Sequence, residues 1–592
     1  SGRPAAAALA AAAAGALGGF SRGLGRGRRG LARHSRWCRL STTVACRAVA
    51  ATDTADTAAV AAEARPGGAA AGSSAVVKIF VAKQRPSMAV PWQAQQVESS
   101  SGSGTLIRRR GGCEAGQDAG AAANGQAEGE PPYWHCVRVE DAVPEAAGDL
   151  VLTAAHVVAD ARDVRVQLLA TSGASPDKFA ARVLAIAHDC DLALLEVQDE
   201  RCFEGAEPME VCGPRELLAV QSRVQVMGFP IGGDYLSITE GVLSRVEVTD
   251  YSHGRRAALA LTVDAAINAG NSGGPVVDPA SGRLLAVAHQ KVVAAGVENQ
   301  GHCVPPCLIW RFLYGQARGR PASLPSLGVS IQPLESPAHR EMVGLAEGET
   351  GALVKEVHRG PGEAESVLRA GDVLLQTGRY PVDNFAAVEL LGYRVALSAV
   401  QDLHYIGDEV QLQVRRDGQD LELRAALRSA IHLVPRSLYG ESCGMSTEFY
   451  ICGGLVFVPL TADFLEQAWS SAKDRPPHLV DLYGRGVITP ERSEVVILLS
   501  ILADDVNAGH GSGYVGSPIV ERVHGHPVAD LADVVARLQQ AVQEAEFVTV
   551  DFQMASGPYE VVLKSADIPE ADERIQALYG LPSLGSLAPR AG

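Results

Sequence analysis

Asn268-Ala269-Gly270-Asn271-Ser272-Gly273-Gly274-Pro275 is the stretch on which the reading of this 592-residue chain turns. A serine set among glycines sits on a backbone free to turn tightly. Such a turn lets main-chain N–H groups converge on one point, where they can stabilise an oxyanion if a base takes the serine proton. The run therefore predicts Ser272 as a nucleophile, with the amides of Gly270 and Ser272 as its oxyanion hole. The competing reading is an ordinary glycine-rich turn, and the residues upstream bear on the choice.

Leu152-Thr153-Ala154-Ala155-His156-Val157-Val158 ends an apolar strand where a helical turn can begin. A lone histidine there is usually structural, but with the serine motif downstream His156 becomes the candidate base. His188-Asp189-Cys190-Asp191-Leu192-Ala193-Leu194-Leu195 offers two acids to orient it. Asp191 is preferred because it abuts an apolar strand that can bury it. It would accept the Nδ1–H of His156 and fix the tautomer. Asp189 competes, two residues away on the same strand face. The order His–Asp–Ser is that of the chymotrypsin fold, not of subtilisin or the α/β-hydrolases.

Around these motifs, short apolar runs rich in β-branched residues recur between turn residues from Ser74 onward. They are Val76–Val81, Gly104–Ile107, Leu150–Ala154, Val164–Leu168, Val183–Ile186, Leu192–Val197, Val224–Met227, Gly241–Val248, Ala258–Val263, Pro275–Val277 and Leu284–Ala288. This spacing predicts a mainly β protein whose first domain, at 74–318, is a chymotrypsin-like double β-barrel. The Gly/Ala/Glu-rich stretch 108–148 interrupts it as a surface loop. Residues 326–428 form a separate pattern, with strands near Val329, Ala352–Val357 and Val373–Leu375. A helix is expected over Asp383–Leu391, and a hairpin through Asp417-Gly418. A weaker echo spans 430–566, where Gly525-His526-Pro527-Val528 repeats the turn Gly378-Arg379-Tyr380-Pro381-Val382. Its amphipathic stretch Leu531–Leu538 is expected to cover its own sheet. Residues 567–592 read as a C-terminal tail.

The overall charge is −16, but residues 1–50 hold nine Arg and no Lys, Asp or Glu, so the rest of the chain carries −25. An acidic body argues against nucleic acid as a partner. Residues 1–65, Ala-rich and then Arg/Ser/Gly-rich, have the composition of an organelle transit peptide, plastid ahead of mitochondrion. The eleven cysteines form no regular framework, which favours reduced, structural thiols. His302, Cys303 and Cys307 hint at a metal only faintly, and no metal site is assigned. His188 and His289 likewise read as packed or solvent-facing residues rather than ligands. Asp264 is read either as an anchor of the oxyanion loop or as a plain surface residue.

Three of these motifs together, with Gly228-Phe229-Pro230-Ile231-Gly232-Gly233-Asp234 and Thr239–Val248, resemble the Deg/HtrA serine proteases, plant-type organellar members in particular. Ile431-His432-Leu433-Val434-Pro435, Gly454–Leu460 and Val496–Ser500 are similar to that subgroup too. The resemblance covers residues 74–580. It implies ATP-independent cleavage of unfolded or damaged proteins, no metal or organic cofactor, and a homotrimer or larger trimer-based assembly. It identifies the two downstream regions as PDZ modules that capture peptide C-termini. It also places regulation in the loop between the first two barrel strands, so the insertion at 108–148 leaves assembly size and resting activity open. Leu327-Gly328-Val329 matches the carboxylate-binding loop of the first module, where successive amides would hold a peptide C-terminus. A turn without a ligand is the equal alternative. In the degenerate second module Cys452-Gly453-Gly454-Leu455 is the corresponding loop, with a role in assembly favoured over substrate capture. The P1 pocket is expected near Ile267–Ala269 and Ala286–Gln290, suiting small aliphatic residues. A second functional reading is a latent protease acting as a holding chaperone or PDZ scaffold.

Overall fold

The computed structural model describes residues 72–109, 130–143, 148–168, 177–233, 235–291, 300–360, 366–436, 447–469, 471–510 and 517–586. The targeting segment expected at 1–65 lies outside these residues.

Six strands close the first barrel. They are β1 (Val76–Lys83), β2 (Glu98–Arg108), β3 (Asp149–Thr153), β4 (Ala161–Leu168), β5 (Phe179–Ala187) and β6 (Leu192–Val197), in the ring order β1-β2-β3-β6-β5-β4. The second barrel holds β7 (Arg223–Gly228), β8 (Ser237–Tyr251), β9 (Arg256–Asp264), β10 (Pro275–Val277), β11 (Leu284–Lys291) and β12 (Gln300–Val304), in the order β10-β11-β12-β9-β8-β7. Each run expected from sequence falls on one of the first eleven strands. The exception is β12, because Gln-Gly-His-Cys-Val lacks a β-branched or alternating signature. Strands β3 and β6 are buried at every position, which is why Leu150–Leu152 and Leu192–Leu195 within them read as unbroken apolar runs.

The insertion differs from its expected place and character. It joins β2 to β3; the loop between the first two strands is 84–97. Its residues 130–143 are not surface loop. Tyr133 and Trp134 are buried, and Tyr133 Oη donates to the Leu403 carbonyl at 2.8 Å. A low-complexity sequence hides an aromatic anchor whose partner lies 270 positions away.

The helix Pro306–Ala317 leaves the second barrel with proline in its first turn, the one place where a missing N–H costs nothing. Its Arg311 is fully buried and donates to the carbonyls of His404, Ala322 and Ser323, binding barrel, linker and next module together. That module begins with β13 (Pro325–Ser326), β14 (Val329–Pro333), β15 (Ala352–Val357), β16 (Val373–Thr377) and β17 (Tyr380–Pro381). It continues with β18 (Ala387–Leu390), β19 (Tyr393–Ala396), β20 (Glu409–Arg416), β21 (Gln419–Ala426) and β22 (Arg428–Ser429). Its main sheet runs β14-β15-β16-β20-β21. The hairpin through Asp417-Gly418 joins β20 to β21, with both residues left-handed (φ 51° and 76°), as a type I′ turn requires.

The helix expected over Asp383–Leu391 is instead the β18–β19 hairpin, turning through Leu391-Gly392 with φ 51° and 83°. Val388 and Leu390 are buried while Glu389 between them is exposed, an alternation of period two that a nine-residue window does not separate from a helix. Tyr393 Oη donates to the Leu218 carbonyl at 2.8 Å and seats this hairpin on the two-barrel domain.

The last module contains β23 (Tyr450–Cys452), β24 (Leu455–Pro459), β25 (Val496–Ile501), β26 (Ile519–Val523), β27 (His526–Pro527), β28 (Phe547–Met554) and β29 (Gly557–Lys564). The sheet order is β23-β24-β25-β26-β28-β29. The helix Leu531–Glu544, capped by the Asp530 side chain on the Asp533 amide, buries Leu531, Val534, Leu538 and Ala541 against the sheet. Residues from 567 onward are not a tail as far as they are described. The helix Ile568–Tyr579 buries Ala571 and Ile575, and the Ile451 amide donates to the Leu584 carbonyl.

Candidate active site

His156 lies in the single helical turn Ala155–Val158 directly after β3. Its Nδ1 is 2.7 Å from Asp191 Oδ2, and its backbone N–H donates to Asp191 Oδ1 at 2.8 Å. One carboxylate thus fixes both the ring and the main chain of the histidine. Asp191 is 1% exposed and holds a left-handed backbone (φ 52°) at the corner before β6. Burial alone would raise its pKa. The charge and hydrogen bond of His156, with His289 and His253 nearby, outweigh that and hold the carboxyl well below the usual range. Asp189 is engaged elsewhere: its Oδ2 accepts from the Leu324 amide, in the linker to the next module.

Ser272 lies between β9 and β10 of the second barrel and meets β2 of the first. Its carbonyl accepts from the Ser103 amide at 2.9 Å. Gly102 lies between the two motifs: a Cβ there would come within 2.7 Å of Val157 Cγ1 and 3.3 Å of the Ser272 carbonyl oxygen. Ser103 Oγ donates to the Gly270 carbonyl and accepts from the Phe229 amide, and Thr153 Oγ1 donates to the Ser103 carbonyl. Gly270 has φ 101°, and among the described residues its amide and that of Ser272 have no acceptor. They are free to serve an incoming oxygen.

Gly273 shows why glycine is required here. Its φ is 82°, and a Cβ would lie 2.1 Å from Thr153 Oγ1 and 2.4 Å from the Ser103 carbonyl oxygen. Gly273→Ala is expected to cost about 2–4 kcal/mol, read by urea unfolding, because strain and overlap act at one atom.

Two further histidines surround the pair, and no sequence signal links them to it. His289 is buried, stacks on Tyr251 at 4.1 Å between ring centroids, and places Nδ1 3.6 Å from Asp191 Oδ2. His253 lies 6.2 Å from the His156 ring and pairs with His188 (Nε2 to Nδ1, 2.8 Å). Burial lowers His253 to about 3 and His188 to about 4, so both are neutral at physiological pH. Asp264 is exposed. Of the expected P1 walls, Ile267, Ala286 and Ala288 belong to the barrel core, and Gln290 bonds Ser252.

The two peptide loops are less open than expected. In the first module the Leu327 amide donates to Gln401 Oε1 and the Gly328 amide to Ser326 Oγ. Val329 begins β14, an edge strand of its sheet. In the second module Gly453 and Gly454 (φ 55° and 82°) are the turn of the β23–β24 hairpin, and the Gly453 amide donates to Asp572 Oδ1 at 2.7 Å. The chain therefore supplies its own carboxylate there. Burial raises Asp572 to about 6, with Asp504 adding to it and the Gly453 and Gly454 amides opposing. The folded pKa is raised, so this group's stabilisation is whole below its unfolded value and is lost as pH rises through about 6. Asp572→Asn is expected to flatten that dependence, as read by melting at pH values on either side of the transition.

The seven described cysteines are buried and free. Among the described residues no group of three His, Cys, Asp or Glu is arranged to hold a metal ion.

The chain matches the trypsin-like peptidase domain over residues 139–287 and the PDZ domain over 434–587. The second match falls on the module that reads as the more degenerate in sequence. The chain is 30% identical over 525 residues to Protease Do-like 2, chloroplastic, of Arabidopsis thaliana, covering 86% of this chain and 74% of that one. It is 28% identical over 509 residues to Putative protease Do-like 3, mitochondrial, of the same plant, covering 84% and 79%. Among solved structures it is similar to the HtrA-type protease AlgW with decapeptide (TM-score 0.40, 21% identity, 60% of this chain and 96% of that one). With these plant relatives and a trypsin-like peptidase domain, the chain belongs to the Do-like, or Deg/HtrA, family of serine endopeptidases.

Proposed function

We propose that the protein is an ATP-independent endopeptidase that degrades unfolded or damaged proteins in an organelle, with His156, Asp191 and Ser272 as its triad. The observation that carries this reading is the pair of hydrogen bonds that the buried Asp191 accepts from the ring and the backbone of His156. Ser272 Oγ attacks the scissile carbonyl while His156 takes its proton. The Gly270 and Ser272 amides receive the oxyanion, and His156 returns the proton to the leaving amine. Water then repeats the cycle on the acyl-enzyme. Asp191 stays ionised throughout, holding the tautomer and stabilising the imidazolium.

The unengaged amides of Gly270 and Ser272 support a competent site over a latent one. Organellar residence draws on the Arg-rich, acid-free N-terminal segment and on relatives named as chloroplastic and mitochondrial; we favour the plastid. A homotrimer, or an assembly of trimers, belongs to the same reading, and exposed Ile231 and Tyr235 offer apolar surface for it to cover. Of the two modules, the first is proposed to capture peptide C-termini along the edge of β14.

The test is β-casein degradation without ATP or added metal, by the chain lacking residues 1–65 beside its Ser272→Ala counterpart. Cleavage by the parent alone supports the proposal. Cleavage by both, or by neither, overturns it, and suppression of client aggregation by both would favour the holding chaperone.

A further inference from the structure

We infer, on the triad proposed above, that Lys83 is a positioning residue of this active site. It acts on His156 from a hairpin arm whose tip is anchored in the second PDZ module.

Lys83 is the last residue of β1, and its Nζ donates to the His156 carbonyl at 2.5 Å. The turn Ala155–Val158 is too short to satisfy its own last carbonyls, and a lysine at such an end supplies both a donor and a favourable charge. Asp191 holds the ring and amide of His156; Lys83 holds its carbonyl, so the residue is fixed from both sides.

Lys83 is itself placed by the arm that continues from β1. The Gln84 amide donates to the Asp160 carbonyl, and Gln84 Nε2 donates to the Gln95 carbonyl. Residues 84–97 fold back on themselves through the Gln95 amide to the Arg85 carbonyl and a bridge between Pro86 and Ala94. The tip of this arm leaves the protease domain. Met88 is buried in the core of the second PDZ module, and Trp92 lies 5.7 Å from Phe449 between ring centroids. Thr447 Oγ1 donates to the Pro91 carbonyl, and Gln467 Oε1 accepts from Met88 N and from Gln95 Nε2. A module distant in sequence thus fixes the stem that meets the catalytic histidine.

The charged and titratable groups facing Lys83 are Arg85 on the arm, Glu98 on β2, Asp160 after the histidine turn, Asp191, and His253 on the β8–β9 loop. Burial and then Arg85 lower its pKa, the three acids oppose them, and the result is about 8. Its charge, and with it the stronger hydrogen bond, is present below that pH and lost above it.

The test uses the full chain with Lys83→Met, Lys83→Arg and Trp92→Ala, assayed on a short quenched peptide from about pH 6 to about pH 10. Lys83→Met is expected to lower kcat about tenfold, with KM changed less than about twofold, since a small displacement of a catalytic group acts on the chemical step. Lys83→Arg should recover much of the loss and remove the parent's alkaline fall near pH 8, because arginine stays charged. Trp92→Ala, far from the chemistry, should lower kcat in the same direction. In parallel, hydrogen exchange of residues 152–160 is followed with each substitution in a Ser272→Ala background, where catalysis plays no part. Faster exchange in Lys83→Met and Trp92→Ala supports the coupling even if the proposed protease activity fails. Unchanged exchange overturns it, as does a Lys83→Met chain with parental kcat and alkaline limb.

Discussion

Ser272→Ala is expected to lower kcat by about 10⁶, leaving the folded chain and its peptide affinity in place. The size reflects the division of labour in the site. The alanine keeps the Gly270 and Ser272 amides and the His156–Asp191 pair, so it retains polarisation of the carbonyl, but no acyl-enzyme can form. The companion measurement is covalent labelling by a fluorophosphonate, read by intact mass. One adduct on the parent and none on the variant fits the assignment; an adduct on the alanine chain would place the nucleophile elsewhere. Ser103, the hydroxyl that braces this loop, is buried and already bonded to Gly270 and Phe229. Adding His156→Ala to the serine variant should cost almost nothing more, because the two residues act as one unit.

Asp191→Asn is expected to lower kcat by about 10⁴. The amide can occupy the same space, yet it favours the tautomer that leaves His156 Nε2 protonated and unable to accept the serine proton. Asp189→Asn is the control, since that carboxylate bonds the Leu324 amide. It should leave kcat within about threefold of the parent. Equal losses in the two variants would undo the assignment. The depressed pKa of Asp191 sets its pH behaviour. Its stabilisation is complete above the unfolded value and is lost only as pH falls toward the folded one, so it contributes no slope near neutrality.

The parts legible in sequence are those whose signals are local. The glycines around Ser272, the apolar strand before His156 and the acid at the head of β6 each declare themselves within a few residues, and their order selects the fold. Short windows fail where periodicities overlap: Asp383–Leu391 cannot be told from a helix, and Cys452–Leu455, which reads as a carboxylate loop, is a hairpin turn whose Gly453 amide already meets Asp572. Contacts between distant segments leave no trace. Tyr133 finds Leu403, and Met88 finds the second PDZ module, through partners that no local pattern announces.

The arm 84–97 also bears on how the enzyme can be divided for biochemistry. A fragment ending near residue 318 would contain every residue of the proposed triad, but Met88 and Trp92 would face water, and Arg255 would lose Asp463 and Glu466. Such a fragment would be sticky and catalytically slack, and its low turnover would be mistaken for an intrinsic property of the protease domain. A piece meant to behave like the whole therefore has to retain the last module, in whose core Met88 is buried.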